Sequence, residues 1–320
     1  MFSPQHFGLT FTDWHVQRAR QNRRKVPYER AWEQLTGPSD QIDGAGGSVR
    51  LLLQAMVYRF NADVTSGAQA VDGLQMVAPD QVVPDLGALA ETGLLAQVFE
   101  LLRDHPAWTA TVLNTWQDGF RTRLEVLNNQ TDADDVVQAL WLGVVNTAGG
   151  ILLDDERYFD AGTNALIHAI DEEVHPEGYL RRAVRVNPET QSLLNQVLAV
   201  QAMVLIAEMA SHAGRDLWRY DNRGVAVTTA TTYPLYYYFY PEQWRWHGDE
   251  WRPSEGVRPD DAQAIFKQHA GFLEIANNHY DKPLKAIRLM LDDLRPVFDP
   301  YGGGPVTLSH GLLVRRGLFG

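Results

Sequence analysis

Two segments far apart in the chain follow one plan. Residues 205–223 (LIAEMASHAGRDLWRYDNR) and 272–311 (FLEIANNHYDKPLKAIRLMLDDLRPVFDPYGGGPVTLSHG) each begin as an apolar helical run and end in a polar, aromatic or glycine-rich loop. An apolar helix has to bury its face against another element. A succession of such units joined by short loops points to packed helical hairpins, with the loops gathered at their ends.

The rest of the chain reads the same way. Residues 49–60 (VRLLLQAMVYRF) are apolar nearly all round, as a helix with core on both sides would be. Asn61, Ala62 and Asp63 break that run, and 68–74 restarts it. Further helical patterns cover 94–103, 109–127, 134–153, 158–173, 191–213, 260–277 and 283–294. Asp134 and Asp135 stand where negative charge favours a helix start, and Pro283 suits a first helical turn. Strand signals are confined to 225–240, which is rich in Val, Thr and Tyr but lacks clean alternation. Breaks at 37–47, 79–84 and 301–305 are local, and none has the character of an interdomain linker. The expectation is one all-α domain over residues 1–320.

With 320 residues, 45% of them hydrophobic and 21% charged, the chain can bury a large core. The absence of cysteine removes disulfides, thiolate metal ligands and a cysteine nucleophile together. A net charge of −12 argues against nucleic acid and anionic membrane, which need clustered Lys and Arg. An acidic protein can still hold a polyanion in a local basic cleft. Arg18, Arg20, Arg23, Arg24 and Lys25, and then Arg181, Arg182 and Arg185, are candidates for one, and the first set reads equally as a solvated helix face. No run approaches the roughly 18 apolar residues of a membrane span. The first residues lack the basic-then-apolar order of a signal peptide, so a cytoplasmic location is expected.

Several segments, in order, resemble the alginate lyase family. They are 25–35 (KVPYERAWEQL), 54–74 (QAMVYRFNADVTSGAQAVDGL), 152–166 (LLDDERYFDAGTNAL), 175–185 (HPEGYLRRAVR) and the two helix–loop units above. The resemblance implies an incomplete α/α toroid, a barrel of antiparallel helical hairpins. It also implies β-elimination of an acidic, uronate-containing polysaccharide or oligosaccharide, with no cofactor or metal. That reaction needs a cation or amide to neutralise the carboxylate and stabilise the enolate-like charge. It also needs a base at C5 and an acid on the leaving oxygen.

In the family an Asn-Asn-His motif at a helix start supplies the amide and the base. An ungapped match through Trp141 and Phe159 puts Val136, Val137 and Gln138 at those positions. Matching back from Gly214-Arg215-Asp216-Leu217 puts Asn195 where the family has its acid Tyr. The neutralising arginine falls on Pro188, three residues from Arg185. All three catalytic identities are lost in this register. The catalytic candidates that remain are Arg185, His279, Tyr236 and His310. Those for substrate binding are Gln138, Trp141, Asn195, Gln196, Trp244 and Trp246.

Other features have ordinary readings beside the functional ones. Asn277-Asn278-His279 spells the family motif but stands at a helix exit. Residues 233–240 (YPLYYYFY) with Trp244, Trp246, His247 and Trp251 form either a sugar-stacking platform or core. Asp171, Glu172, Glu173 and His175 form either a metal-ligand cluster or a solvated acidic turn before Pro176, the second being the ordinary reading, and Asp132, Asp134 and Asp135 read as helix-start carboxylates. The glycines at 302–304 do not follow a strand and open a helix, so they do not suggest a phosphate cradle. Two alternatives stay open: a non-catalytic glycan-binding or scaffold protein on the same fold, and a toroid hydrolase in which Glu274 and Asp221 oppose each other.

Overall fold

The computed structural model describes residues 2–37, 46–77, 82–247, 250–251, 256–282 and 284–313, leaving aside the side chains of 247, 250 and 251. The sequence-assigned breaks at 38–45 and 79–81, and Pro283 as a helix start, lie outside the described residues.

Two short helices, α1 (Asp13–Gln21) and α2 (Tyr28–Thr36), precede four hairpins. These pair α3 (Gly47–Asn61) with α4 (Val64–Met76), α5 (Leu86–Leu102) with α6 (Ala110–Gln130), α7 (Val136–Leu152) with α8 (Glu156–His168), and α9 (Glu189–His212) with α10 (Val227–Phe239). Helices α11 (Pro259–His269), α12 (Gly271–Ala276), α13 (Lys285–Leu294) and α14 (Val306–His310) complete the ring. One ribbon of two-residue strands, β1 (Trp246–His247) and β2 (Glu250–Trp251), is the only paired sheet among the described residues. The fold is an α/α toroid.

Local chemistry sets the helix starts. Asp63, Asp85, Thr109, Asp135 and Asp155 cap α4 to α8, each side chain accepting a backbone N–H of the first turn. Segment 225–240 is not strand. Its β-branched and aromatic residues form α10, opened by Thr229 Oγ1, which accepts the Ala226 N–H at 3.1 Å. Burial of Val227, Ala230, Thr231, Leu235 and Tyr237 outweighs their β preference.

The inner helices run in the same direction. Ser48 meets Glu91 near the starts of α3 and α5, and Arg59 donates to the Leu101 carbonyl near their ends. Further round the ring, Trp141 of α7 donates to the Leu198 carbonyl of α9 at 3.1 Å. Small residues let the return helix close in. A Cβ on Gly162 of α8 would lie 2.2 Å from Thr147 Oγ1 and 2.5 Å from the Gly143 carbonyl of α7. Helix α9 is long and apolar enough to cross a membrane, but it is the central helix of the ring and nearly all of that stretch is buried.

The axis is filled. Leu94, Gln97, Trp141, Val144, Leu205, Met209 and Tyr301 converge there with Leu9 and Thr10. They leave a cavity of only about 20 Å³, room for about one water. The inner helices present two ends: one where α3, α5, α7 and α9 begin, and one where they finish.

Candidate functional site

Three sequence candidates lie at or beside the starts of α7 and α9. Gln138 lies in the first turn of α7, its backbone N–H and its side-chain Nε2 both donating to Asp135, at 3.1 Å each. Asn195 is half-buried in the second turn of α9 and accepts the Gln191 amide at 2.7 Å. Arg185 is exposed on the segment before α9, and no described residue pairs with its guanidinium.

That segment is firmly held. Gln196 is fully buried; its Oε1 accepts the Leu180 N–H at 2.9 Å and its Nε2 donates to the Gly178 carbonyl at 3.3 Å. Ser192 donates to the Val184 carbonyl at 2.7 Å and accepts the Trp244 indole N–H at 3.2 Å. Arg182 binds Glu173 and the Asp134 carbonyl, which ties the segment to the start of α7. Gln196, Trp244 and Trp141 are thus scaffold, correcting their assignment to substrate. All three are buried, with their polar atoms engaged inside the protein. The acidic turn needs a similar correction: Glu173 is buried against Arg182, and Asp171 accepts from Tyr220 and Asn222.

Half-buried aromatic rings adjoin this end. His175 stacks on Tyr179 at 4.5 Å, and Tyr179 lies 4.5 Å from Trp246 and 5.5 Å from Tyr233. Trp246 donates its indole N–H to the Tyr233 hydroxyl at 2.9 Å. Burial pushes the Tyr233 hydroxyl far above its ordinary pKa, so it stays protonated. Arg245 lies over Trp246 and is paired with Glu177. The side chains of His247 and Trp251 lie outside the described residues. Tyr236 is half exposed on α10, beside Tyr240.

The remaining catalytic candidates lie at the other end. From Asn195 to Glu208 is 13 residues of helix, or about 20 Å. Near its finish, α9 presents buried Glu208, whose Oε2 accepts the Trp218 indole N–H at 3.0 Å and His279 Nε2–H at 2.7 Å. His279 stacks on Trp218 with ring centres 3.9 Å apart. His310 is buried, and its Nε2 donates to the Thr10 carbonyl at 2.9 Å. Asn277 and Asn278 leave the end of α12, so this Asn-Asn-His is a helix exit. Sequence reasoning missed His15, His212 and Glu208, which complete this cluster. Burial alone raises the Glu208 carboxyl, but the hydrogen bond from His279 and the nearby His310 and His212 rings outweigh it and hold the pKa below the usual range. Burial lowers His212 and takes His15 down to about 2.

The structure therefore separates the proposed catalytic set. Arg185 stands at one end of α9, His279 and His310 at the other, and Tyr236 on an outer helix. Glu274 and Asp221 do not form the free, opposed pair that a hydrolase needs. Glu274 is fully buried, held by Arg295 through two 2.7 Å contacts and by Thr307, whereas Asp221 is exposed and accepts the Gly224 N–H.

A ring of helical hairpins with polar, aromatic ends is an α/α toroid, a fold that polysaccharide lyases use. The chain belongs to the alginate lyase family, whose model, described as alginate lyase, matches residues 65–244. Among solved structures it is similar to alginate lyase A1-III from Sphingomonas species A1, at 18% identity and a TM-score of 0.67 over 82% of this chain and 75% of that one. A variant of the same lyase complexed with a tetrasaccharide gives 18% identity and 0.64, over 82% and 74%. An alginate lyase from Bacteroides ovatus gives 12% identity and 0.60, over 95% and 99%. No curated protein matches the chain by sequence. At these identities the likeness to solved structures shows the fold.

Proposed function

We propose that the protein engages an acidic, uronate-containing glycan where α7 and α9 begin, and that elimination there is slow or absent at neutral pH. Family membership supports the substrate class. The observation that carries the reading is the contrast between binding groups and proton-transfer groups at this end. Arg185 offers a carboxylate an exposed guanidinium that no described residue pairs, and the starts of parallel helices add a positive field. Tyr179, Tyr233 and Trp246 offer partly exposed ring surface.

The positions matched to the family's base and acid carry amides instead. Neither the Gln138 nor the Asn195 side chain takes or gives a proton at neutral pH, and each is hydrogen-bonded within its own helix or cap. Each missing general acid or base is worth about 10²–10⁴-fold in rate. Burial keeps Tyr233 protonated, so it cannot serve as a base near neutrality.

The test is calorimetric titration of the full chain with oligomannuronate and oligoguluronate. Binding that weakens about tenfold or more in Arg185→Ala and in Trp246→Ala supports the reading. Unchanged binding in both variants, or none in the wild type, removes it.

A further inference from the structure

Residues 2–12 form a strap across the ends where α5, α7 and α9 finish. Phe2 packs on Phe159 with ring centres 4.6 Å apart, and Ser3 donates its N–H to the Ala213 carbonyl at 3.0 Å. Leu9 and Thr10 line the axial cavity beside Leu205 and Met209, so the strap closes the axis at this end. Histidines hold it there. The Leu9 carbonyl accepts His212 Nδ1–H at 3.1 Å, and the Thr10 carbonyl accepts His310 Nε2–H at 2.9 Å. The Thr12 N–H donates to His15 Nδ1 at 3.1 Å. Each of these bonds needs only one nitrogen of a neutral ring.

His6 is different. Its Nδ1 lies 3.3 Å from Glu100 Oε2, and its Nε2 lies 3.1 Å from Asp154 Oδ1. An ionised carboxylate can only accept, and a neutral imidazole has one N–H and one lone pair. Both contacts are hydrogen bonds only when the ring carries two protons. Losing one turns a lone pair toward a carboxylate, and attraction on that side becomes repulsion.

Neither carboxylate depends on His6. Glu100 is buried but keeps Arg103, whose guanidinium reaches its Oε1 at 2.6 and 3.1 Å. Asp154 is 60% exposed and can turn to water. Release of the strap therefore strands no ion. Little else holds its backbone: among the described residues, Ser3 makes the only backbone-to-backbone bond from residues 2–11 to the rest of the ring. A segment with so few such bonds opens locally at small cost.

We propose that His6 is a proton-operated clasp: as the imidazolium it fastens the strap to α5 and to the α7–α8 turn and keeps the axis closed, and as the neutral ring it lets the strap lift. The charged groups that face it are Glu100 and Arg103 of α5 and Asp154 of the turn. The hydrogen bond to Glu100 raises the His6 pKa, against lowering by burial and by Arg103. The strap is thus fastened below about pH 6.5, the ordinary histidine value, and loosens as pH rises through the folded pKa. His15 and His212, both lowered by burial, change charge below that window.

The test is hydrogen exchange of the full chain from about pH 6.5 to about pH 9, read by mass spectrometry as protection relative to the intrinsic rate at each pH. Peptides from residues 2–12 should lose about two- to fivefold in protection across that range, the scale of an exposed ion pair. Peptides from α7 should keep theirs. His6→Gln should show the loosened value at every pH, and His6→Arg, whose charge is fixed, should stay flat as well. Wild-type protection of residues 2–12 that does not fall across the range overturns the proposal. So does a fall of the same size in His6→Gln.

Discussion

The Gln191 side-chain amide donates to Asn195 Oδ1 at 2.7 Å, one helical turn further along α9. The residue matched to the family's catalytic acid is therefore part of a local i,i+4 pair, the kind that steadies an exposed helix start. Gln138 is in the same position on α7, bound to its own cap Asp135. Both amides act in helix geometry.

Restoring the family's residue types should accordingly restore little. The Gln138→His, Asn195→Tyr double variant is expected to gain less than about tenfold in elimination rate, against the 10²–10⁴ that a positioned acid or base contributes. Pro188 still stands at the neutralising position, and Arg185 lies three residues away. Initial rates on polymannuronate, followed by the ultraviolet absorbance of the unsaturated product, check this.

The toroid depends on close contact between α7 and α8. Gly162→Ala drives a methyl into Thr147 Oγ1, the Thr147 backbone N and the Gly143 carbonyl, all 2.5 Å away or less. Backbone cannot yield as a side-chain tip can. A loss of about 1–3 kcal/mol or more is expected in urea unfolding. Gly224→Ala, with open space around its Cβ position but φ +77°, should cost less, by backbone strain alone.

Glu274 and Arg295 form a buried pair held by two 2.7 Å contacts. Removing one partner leaves a charge without solvent. Arg295→Met is expected to cost about 3–5 kcal/mol by the same measurement. A charge-free Glu274→Leu, Arg295→Met double variant should recover part of that loss, because no stranded ion remains.

His6 gives the N-terminal strap a pH dependence of known sign. A hydrogen bond to Glu100 raises its pKa, outweighing the lowering by burial and by Arg103. A histidine whose folded pKa lies above its unfolded value near 6.5 stabilises the protein fully below that value. The contribution fades as pH rises through the folded pKa. His6→Ala should therefore lower stability at about pH 5.5, by no more than an exposed ion pair contributes, with the gap narrowing as pH rises through the folded pKa. Melting curves of the two proteins across that range test it.

Much of the architecture was legible because apolar periodicity and Asp caps are local signals. The helices expected over 134–153 and 191–213 are found over 136–152 and 189–212, and these, the helix start at Asp135 and the helix exit at Asn277 follow from residue type and spacing. Segment 225–240 was ambiguous because Val, Thr and Tyr suit either element, and burial in the ring decided for helix. Trp141, Gln196 and Trp244 were placed at the substrate because aromatic and amide side chains serve sites and cores alike, and only packing separates the two uses. The Glu208 cluster was missed, although part of its signal stands in the sequence. A lone carboxylate inside LIAEMA, with a histidine four residues on, marks a polar feature within a buried helix. His15 and His310 join it only through closure of the ring, which no local pattern reports.

The measurement that bears most directly on the central claim is turnover of polymannuronate by the wild-type chain at neutral pH, read as ultraviolet absorbance of the unsaturated product. The account predicts a flat trace under conditions in which calorimetry detects bound oligosaccharide. A steady rise in absorbance, lost in Arg185→Ala, would contradict it and would mean that a proton-transfer group other than Gln138 and Asn195 serves this end of the toroid.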